Sequence, residues 1–110
     1  MKRLLAFIAL VLFAMLSWGQ TADTSFYESG AIKEIRLYQD GLLDGQCVMF
    51  TEEGDTLAIA NYKNGLKHGK WTVWRPTGVL AYELFYEEGK KVGSWLSYNE
   101  KGVMIAKREY

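Results

Sequence analysis

Apolar, aromatic and glycine residues recur along this chain at a fixed spacing of 24 residues. Tyrosine occupies one repeated position, and a second holds Phe26, Phe50, Trp74 and Tyr98. Glycine fills three further repeated positions. The first comprises residues 41, 65 and 89, the second comprises residues 45, 69 and 93, and the third comprises residues 30, 54, 78 and 102. Such a period predicts a repeat architecture. Three full units run from Tyr38 to the last residue, and a partial unit begins near Phe26.

Each unit has the pattern of a β-hairpin, because turn residues divide it into short apolar segments. Asp40-Gly41 and Asn64-Gly65 favour tight turns, and Glu88-Gly89 occupies the matching place. The segments between turns have the length of strands and are rich in aromatic and β-branched residues. The sequence predicts strands near 31–38, 46–51, 56–62, 70–75, 79–86, 94–99 and 103–110. We therefore predict an all-β fold, an antiparallel meander of stacked hairpins in an open, single-layer sheet.

Equal spacing is expected to place like residues side by side on neighbouring strands. Trp71 and Trp95 then form one ladder, which Cys47 extends at the corresponding position of the first full unit. The repeated aromatic position forms a second ladder, from Phe50 through Trp74 to Tyr98, and the repeated tyrosines form a third. The positions predicted to be structural are Tyr38, Tyr62, Tyr86, Gly45, Gly69, Gly93, Gly54, Gly78 and Gly102.

The first 19 residues do not follow the repeat and have the order of a secretory signal peptide. Lys2 and Arg3 precede an apolar run over residues 4–16, and the small residue Gly19 follows. The run is shorter than the roughly 20 residues that a membrane-spanning helix needs. We therefore predict export to the periplasm or the exterior, with an uncleaved anchor as the alternative. The predicted organisation is a signal peptide over 1–19, a lead-in over 20–29 and the repeat domain over 30–110.

Composition excludes several classes of function. The 110 residues include 13 Lys and Arg against 13 Asp and Glu, a balance that argues against a broad nucleic-acid-binding surface. One cysteine excludes an intramolecular disulfide, and one cysteine with one histidine provides too few ligands for a zinc site. Hydrophobic residues make up 49%, which argues against disorder. We expect no cofactor and no nucleic-acid partner.

No constellation of residues in the sequence is typical of catalysis. His68 is the only histidine, and it lies in a predicted loop where a solvated side chain is the simpler interpretation. Cys47 occupies a ladder position with no activating base nearby in sequence. The acidic pairs at 52–53 and 87–88 flank turn glycines, where solvated carboxylates are ordinary. We predict that the protein is not an enzyme and has no catalytic or metal-binding residues.

The unit Gly-x-x-x-Gly-x-Trp-x-x-aromatic-x-x-x-Gly-x-Leu resembles the MORN repeat, the membrane occupation and recognition nexus. It is closer to the bacterial variant grouped with YwqK-like antitoxins. Residues 62–74 match best, residues 86–98 come second, and the resemblance extends over about 26–110. It implies an elongated β-meander that acts as an interaction module for proteins or sometimes membranes. In part of the group it implies neutralisation of a cytoplasmic toxin, against which the predicted signal peptide argues. Cys47 departs from the pattern, which has Trp there.

Two surfaces are candidates for binding. One consists of the ladder rings, because a single-layer sheet cannot cover both of its faces. The other is a strip of lysines along one loop edge, which the neighbouring Glu87 and Glu88 dilute. The candidate binding residues are Trp71, Trp74, Trp95, Tyr98, Lys67, Lys70, Lys90 and Lys91. We expect a protein partner. A toxin, a membrane surface or a glycan are the alternatives, and the sheet edges also permit self-association.

Overall fold

The computed structural model describes residues 18–110, which form one antiparallel sheet of 11 strands. The strands are β1 (Gln20–Phe26), β2 (Ile32–Gln39), β3 (Leu42–Leu43), β4 (Gly45–Phe50), β5 (Thr56–Lys63), β6 (Leu66–Lys67), β7 (Gly69–Trp74), β8 (Leu80–Glu87), β9 (Lys90–Lys91), β10 (Ser94–Tyr98) and β11 (Met104–Glu109). These residues contain no helix, and hence none able to cross a membrane. The predicted open meander of hairpins is confirmed. Residues 1–17, most of the predicted signal peptide, lie outside the described residues.

The longer strands lie side by side in chain order, as β1-β2-β4-β5-β7-β8-β10-β11. Each two-residue strand (β3, β6 and β9) pairs with the end of the long strand before it. The chain then shifts register by two residues before the next strand: Leu43 faces Tyr38, but Val48 faces Ile35. The same shift follows β6 and β9. The hairpins are therefore structural copies of one another.

Two-residue turns join β2 to β3, β5 to β6 and β8 to β9, and they lie at one end of the strands. Asn64 and Gly65 have φ values of 50° and 82°, and the same pair of positive angles occurs at residues 40–41 and 88–89. Two successive residues with positive φ are the signature of a type I′ turn, whose twist matches that of the flanking strands. The turns predicted from these dipeptides are confirmed.

Four-residue turns join the two long strands of each hairpin at the opposite end of the strands. In the turn after β7, the Gly78 N–H donates to the Arg75 carbonyl at 2.8 Å, and the Arg75 N–H donates to the Val79 carbonyl at 2.8 Å. Gly78 has a φ of 91°, which glycine adopts without steric cost. A register shift accompanies each such turn, at residues 25/26, 49/50, 73/74 and 97/98. These bulges bend every hairpin in the same way.

Strand β1 differs from the sequence-based expectation, which has no strand over residues 20–29. It pairs with β2 from Gln20 to Phe26 and is followed by a turn of the same type as the others. Ala22 faces Leu37, and it packs against the buried cluster. The first hairpin is therefore complete, although its first strand lacks the aromatic pattern of the later ones.

The buried cluster lies on one face of the N-terminal half of the sheet. Its members are Ile35, Leu37, Val48 and Phe50, with Ile59 and others packed against them. We call this side the core face. Because successive side chains in a strand alternate between faces, Cys47 and the residues in register with it point to the opposite side, which we call the ladder face.

Candidate functional site

A continuous ladder of five aromatic rings crosses the ladder face. In spatial order the rings are Tyr62, Trp71, Tyr86, Trp95 and Tyr110, with centroids 5.2, 5.2, 5.1 and 5.1 Å apart. The separate tryptophan and tyrosine ladders predicted from the sequence are thus one ladder in which the two residue types alternate. The cause is the two-residue shift before β7 and β10, which places each indole between the tyrosines of two long strands.

Hydrogen bonds to the backbone fix both indoles in this ladder. The Trp71 Nε1–H donates to the Asn61 carbonyl at 2.9 Å, and the Trp95 Nε1–H donates to the Phe85 carbonyl at 2.9 Å. The rings meet at interplanar angles between 57° and 64°, the tilted geometry that aromatic quadrupoles favour. Such pairs contribute roughly 0.5–1.5 kcal/mol each beyond area burial. The ladder therefore joins successive hairpins, and its two indoles are held in place by the backbone.

The ladder stops at Tyr62, because Cys47 stands where the next units have an indole. Cys47 is only 5% exposed, and a cavity of about 410 Å³ lies beside it. The cavity lining includes Tyr62, Trp71, Ala58 and Ala60. Burial raises the pKa of the Cys47 thiol, and a backbone hydrogen bond at Leu37 partly opposes this effect. The thiol is thus held in its less reactive, protonated form. The expected extension of the ladder to Cys47 and Tyr38 does not occur.

Two of the candidate lysines lie over the ladder rings. The Lys67 Nζ is 4.9 Å from the ring centroid of Trp71 and 4.9 Å from that of Tyr86. The Lys91 Nζ lies 4.8 Å from Trp95 and 5.3 Å from Tyr110. Both lysines are exposed, so each ammonium group contacts the π-faces while one side remains open to solvent. The corresponding residue of the first full unit is Leu43, which carries no charge.

The remaining candidate residues do not join this group. Lys70 lies on the core face, where its Nζ is 2.9 Å from the Glu83 carboxylate, and Lys90 lies exposed in β9. The Tyr98 hydroxyl donates to the same carboxylate at 2.8 Å. The hydrogen bonds from Lys70 and Tyr98 lower the pKa of the Glu83 carboxyl. The lysines predicted as one strip are therefore divided between the two faces, and the ion pair neutralises Lys70.

The predicted second ladder is not formed by ring contacts. Phe50, Trp74 and Tyr98 occupy equivalent places after the bulges, but all ring contacts found within residues 18–110 belong to the ladder described above. Phe50 is buried in the core cluster, whereas Trp74 and Tyr98 are half-buried. Trp74 and Tyr98 therefore lie apart from the ladder face.

One structural role was missed by sequence reasoning. The Asp44 carboxylate accepts a hydrogen bond from the Asn64 N–H at 3.0 Å, in the type I′ turn of the following unit. At the equivalent place, the His68 Nδ1 accepts from the Glu88 N–H at 3.4 Å. His68 therefore lies between strands, as expected, and also contacts the turn of the following unit. The signal was present as an acceptor side chain repeated 24 residues apart.

The side chains gathered on the ladder face are suited to contacts with another molecule. Within residues 18–110, no group of three or more His, Cys, Asp or Glu residues could hold a metal ion. The ladder face offers rings, two ammonium groups and a groove beside Cys47. These groups can bind another molecule by stacking, by ion pairing and by apolar contact.

Comparison with known families matches one hairpin unit of this sheet. Residues 67–90 match the MORN repeat variant. They extend from Lys67 through β7 and β8 to Lys90 in β9, and they contain Trp71 and Tyr86 of the ladder. The match indicates a repeat module of a generally non-catalytic family. The hairpins on either side share the turns, bulges and register of this MORN-like unit. No curated protein and no solved structure matches the chain.

Proposed function

We propose that this chain is an exported, non-catalytic repeat protein that binds another protein through its ladder face. The observation that carries the proposal is the placement of Lys67 and Lys91 over consecutive pairs of ladder rings. The MORN-like match over residues 67–90 supports a role in interaction, because such repeats often bind proteins or membranes.

The ladder face favours an acidic partner segment. The two lysines occupy equivalent places on successive hairpins, so their charges recur at the spacing of the repeat. A cation over an aromatic face keeps its outward side available to a carboxylate. The two indoles are already fixed by their hydrogen bonds, so they lose little conformational entropy when a partner binds. A segment with regularly spaced Asp or Glu residues has the complementary chemistry.

The test compares charge reversals on and off the ladder. We expect Lys67→Glu combined with Lys91→Glu to abolish capture of a specific protein from envelope extracts. The matched control, Lys63→Glu combined with Lys101→Glu, changes two exposed lysines that lie over no ring. A protein retained by the wild type and the control, but lost by the ladder variant, supports the proposal. Equal recovery by all three proteins would contradict it.

Export is a separate part of the proposal and needs its own measurement. Cell fractionation followed by mass spectrometry of the intact protein gives both its compartment and its first residue. We expect a chain that begins near Gln20 outside the cytoplasm. A full-length cytoplasmic chain would overturn export and would favour the antitoxin-like alternative suggested by the resemblance to YwqK-like proteins. Rescue of growth on co-expression with a neighbouring toxin would then test that alternative.

A membrane surface or a glycan is the second alternative, favoured by the same lysines and exposed ring edges. Sedimentation with anionic vesicles or with insoluble polysaccharide distinguishes this possibility. Cosedimentation that is lost in the Lys67→Glu and Lys91→Glu variant, without recovery of any protein, would replace the protein-binding proposal with this one.

A further inference from the structure

Strand β1 is the structural equivalent of β4, β7 and β10, the first strands of the later hairpins. Each of these is followed by a four-residue turn and has a bulge at its last pair. Strand β11 is in the same way equivalent to β2, β5 and β8, the second strands. In the sheet formed by residues 18–110, β1 and β11 are the outer strands.

The second strand of each hairpin pairs with the first strand of the following hairpin, and the register is the same each time. Ile35 faces Val48, Ile59 faces Thr72 and Glu83 faces Leu96. The same register, continued from β11 to a strand of the β1 type, places Lys107 opposite Thr24. The outer edge of β11 therefore has the geometry to accept β1, as the three inner second strands accept their neighbours.

We propose that β1 of one copy of this chain pairs with β11 of a second copy, so that the sheet continues head to tail across molecules. The inner contacts show this register over two residue pairs. Extending it by one further pair places Arg108 opposite Asp23 of the second copy. Both positions lie on the ladder face, since Arg108 faces Trp95 and Asp23 faces Arg36 within one chain. Opposite charges at directly facing positions stabilise an antiparallel pair.

Apolar residues exposed at the two edges also meet in this register. Ile105 is 63% exposed and Phe26 is 58% exposed, and each lies next to a residue of the pair Ala106 and Ser25, so the two apolar side chains come close to one another between the copies. The neighbouring Met104 is exposed as well. An unpaired edge strand leaves a row of backbone N–H and C=O groups available to another chain. Pairing of β1 with β11 gives these groups hydrogen-bond partners on both strands. The two surfaces differ, so the contact is heterologous and each copy keeps a free edge for a further copy, which allows assemblies larger than a dimer.

The test uses charge reversals and their mixture, with the protein as it is recovered from cells. Sedimentation velocity of the wild type is expected to show a weight-average coefficient that rises steadily with concentration. Asp23→Arg and Arg108→Asp should each weaken this association at least about fivefold, because like charges then face each other. An equimolar mixture of the two variants should associate again, since each variant meets a complementary edge on the other.

Controls separate this effect from unfolding and from general charge effects. Glu53→Arg and Lys63→Asp reverse exposed charges near β5, in the middle of the sheet and away from both outer strands, and they should associate as the wild type does. Near-ultraviolet circular dichroism of the aromatic ladder checks the fold of each variant. The proposal is overturned if the wild type remains monomeric, if association stops at a dimer, or if the mixture of variants fails to associate.

Discussion

Cys47 is the residue at which the first full unit departs most from its neighbours. The equivalents of Cys47, Ala58 and Ala60 one period later are Trp71, Tyr82 and Leu84, all much larger. Three small side chains thus coincide beside the cavity of about 410 Å³. The missing volume shortens the ladder without disturbing the backbone pairing, because Cys47 still faces Ala60 in register.

Replacing this thiol should restore the ladder. We expect Cys47→Trp to raise the free energy of unfolding by about 1 kcal/mol, because an indole at position 47 fills the cavity and gains ring contacts with Tyr62 and Tyr38. Urea unfolding monitored by fluorescence measures the change. The control Cys47→Val adds no ring and should shift the free energy by less than about 0.5 kcal/mol. A Cys47→Trp variant less stable than wild type would show that the cavity cannot accept the ring.

Glu83 makes part of the stability depend on pH. Its side chain is 20% exposed and contacts Lys70, which is 51% exposed, and the Tyr98 hydroxyl. Its pKa is lowered in the folded chain, so the unfolded chain binds more protons as the pH approaches the folded pKa. The contribution is therefore present above the ordinary glutamate pKa of about 4.3 and is lost as the pH falls through the folded pKa.

We expect Glu83→Gln to lower the free energy of unfolding by about 0.5–1 kcal/mol at neutral pH. The difference from the wild type should disappear in strong acid, where the wild-type carboxylate is protonated too. Urea unfolding across a pH series measures both results. Glu87→Gln, at the exposed end of the same strand, is the matched control. A difference that persists unchanged at low pH would contradict the role of the ion pair.

At the scale of the elements, the type I′ turns carry the most direct link from sequence to structure. All three turns have two successive positive φ angles, but their first residues differ: Asp40, Asn64 and Glu88. Asn and Asp tolerate this conformation because their short side chains bond locally, whereas Glu lacks that advantage. The turn at Glu88-Gly89 is therefore the least favourable of the three.

This difference can be measured with one substitution. We expect Glu88→Asn to stabilise the protein by roughly 0.5 kcal/mol, through relief of the strained first turn residue. Glu87→Asn is the control, because residue 87 lies within strand β8, where asparagine is disfavoured. Thermal unfolding of both variants measures the two changes in stability. Stabilisation by Glu87→Asn, or destabilisation by Glu88→Asn, would show that backbone conformation does not decide the effect.

The elements that depend on local signals were predictable. Seven strands and both kinds of turn follow from glycine and aromatic spacing, since turns and strands have short-range preferences. Strand β1 was not predicted, because Gln20–Phe26 is polar and has few β-forming residues, and tertiary pairing with β2 determines its conformation. The merging of two ladders was also not predictable, since it depends on the register shift at Asp44 and its equivalents. Local patterns do not encode such an offset.

At the scale of the whole molecule, burial is uneven along the sheet. The buried cluster lies on β2 and β4, whereas every residue of β11 is exposed. The sheet therefore changes from a packed end to an open end, although all of its hairpins share one geometry. In repeat arrays of this kind, stability depends on each unit and on its contacts with the next.

We expect amide hydrogen exchange to follow this gradient. Amides of β2 and β4 should exchange slowest, and those of β11 fastest, because opening the last strand exposes little apolar surface. Mass spectrometry on dilute protein measures the pattern in the absence of association. Raising the concentration should then protect β11 if copies pair head to tail. Uniform protection along the dilute chain would contradict the gradient.

The constant offset between hairpins has a consequence for how genes of this kind change. Since each second strand meets the next first strand in the same register, the gain or loss of one whole unit leaves every remaining backbone partner in place. Recombination between repeats can therefore lengthen or shorten the sheet by whole units while the remaining strands keep their register. A length change of any other size moves the downstream indoles out of line with their tyrosines, so selection is expected to retain only whole-unit steps.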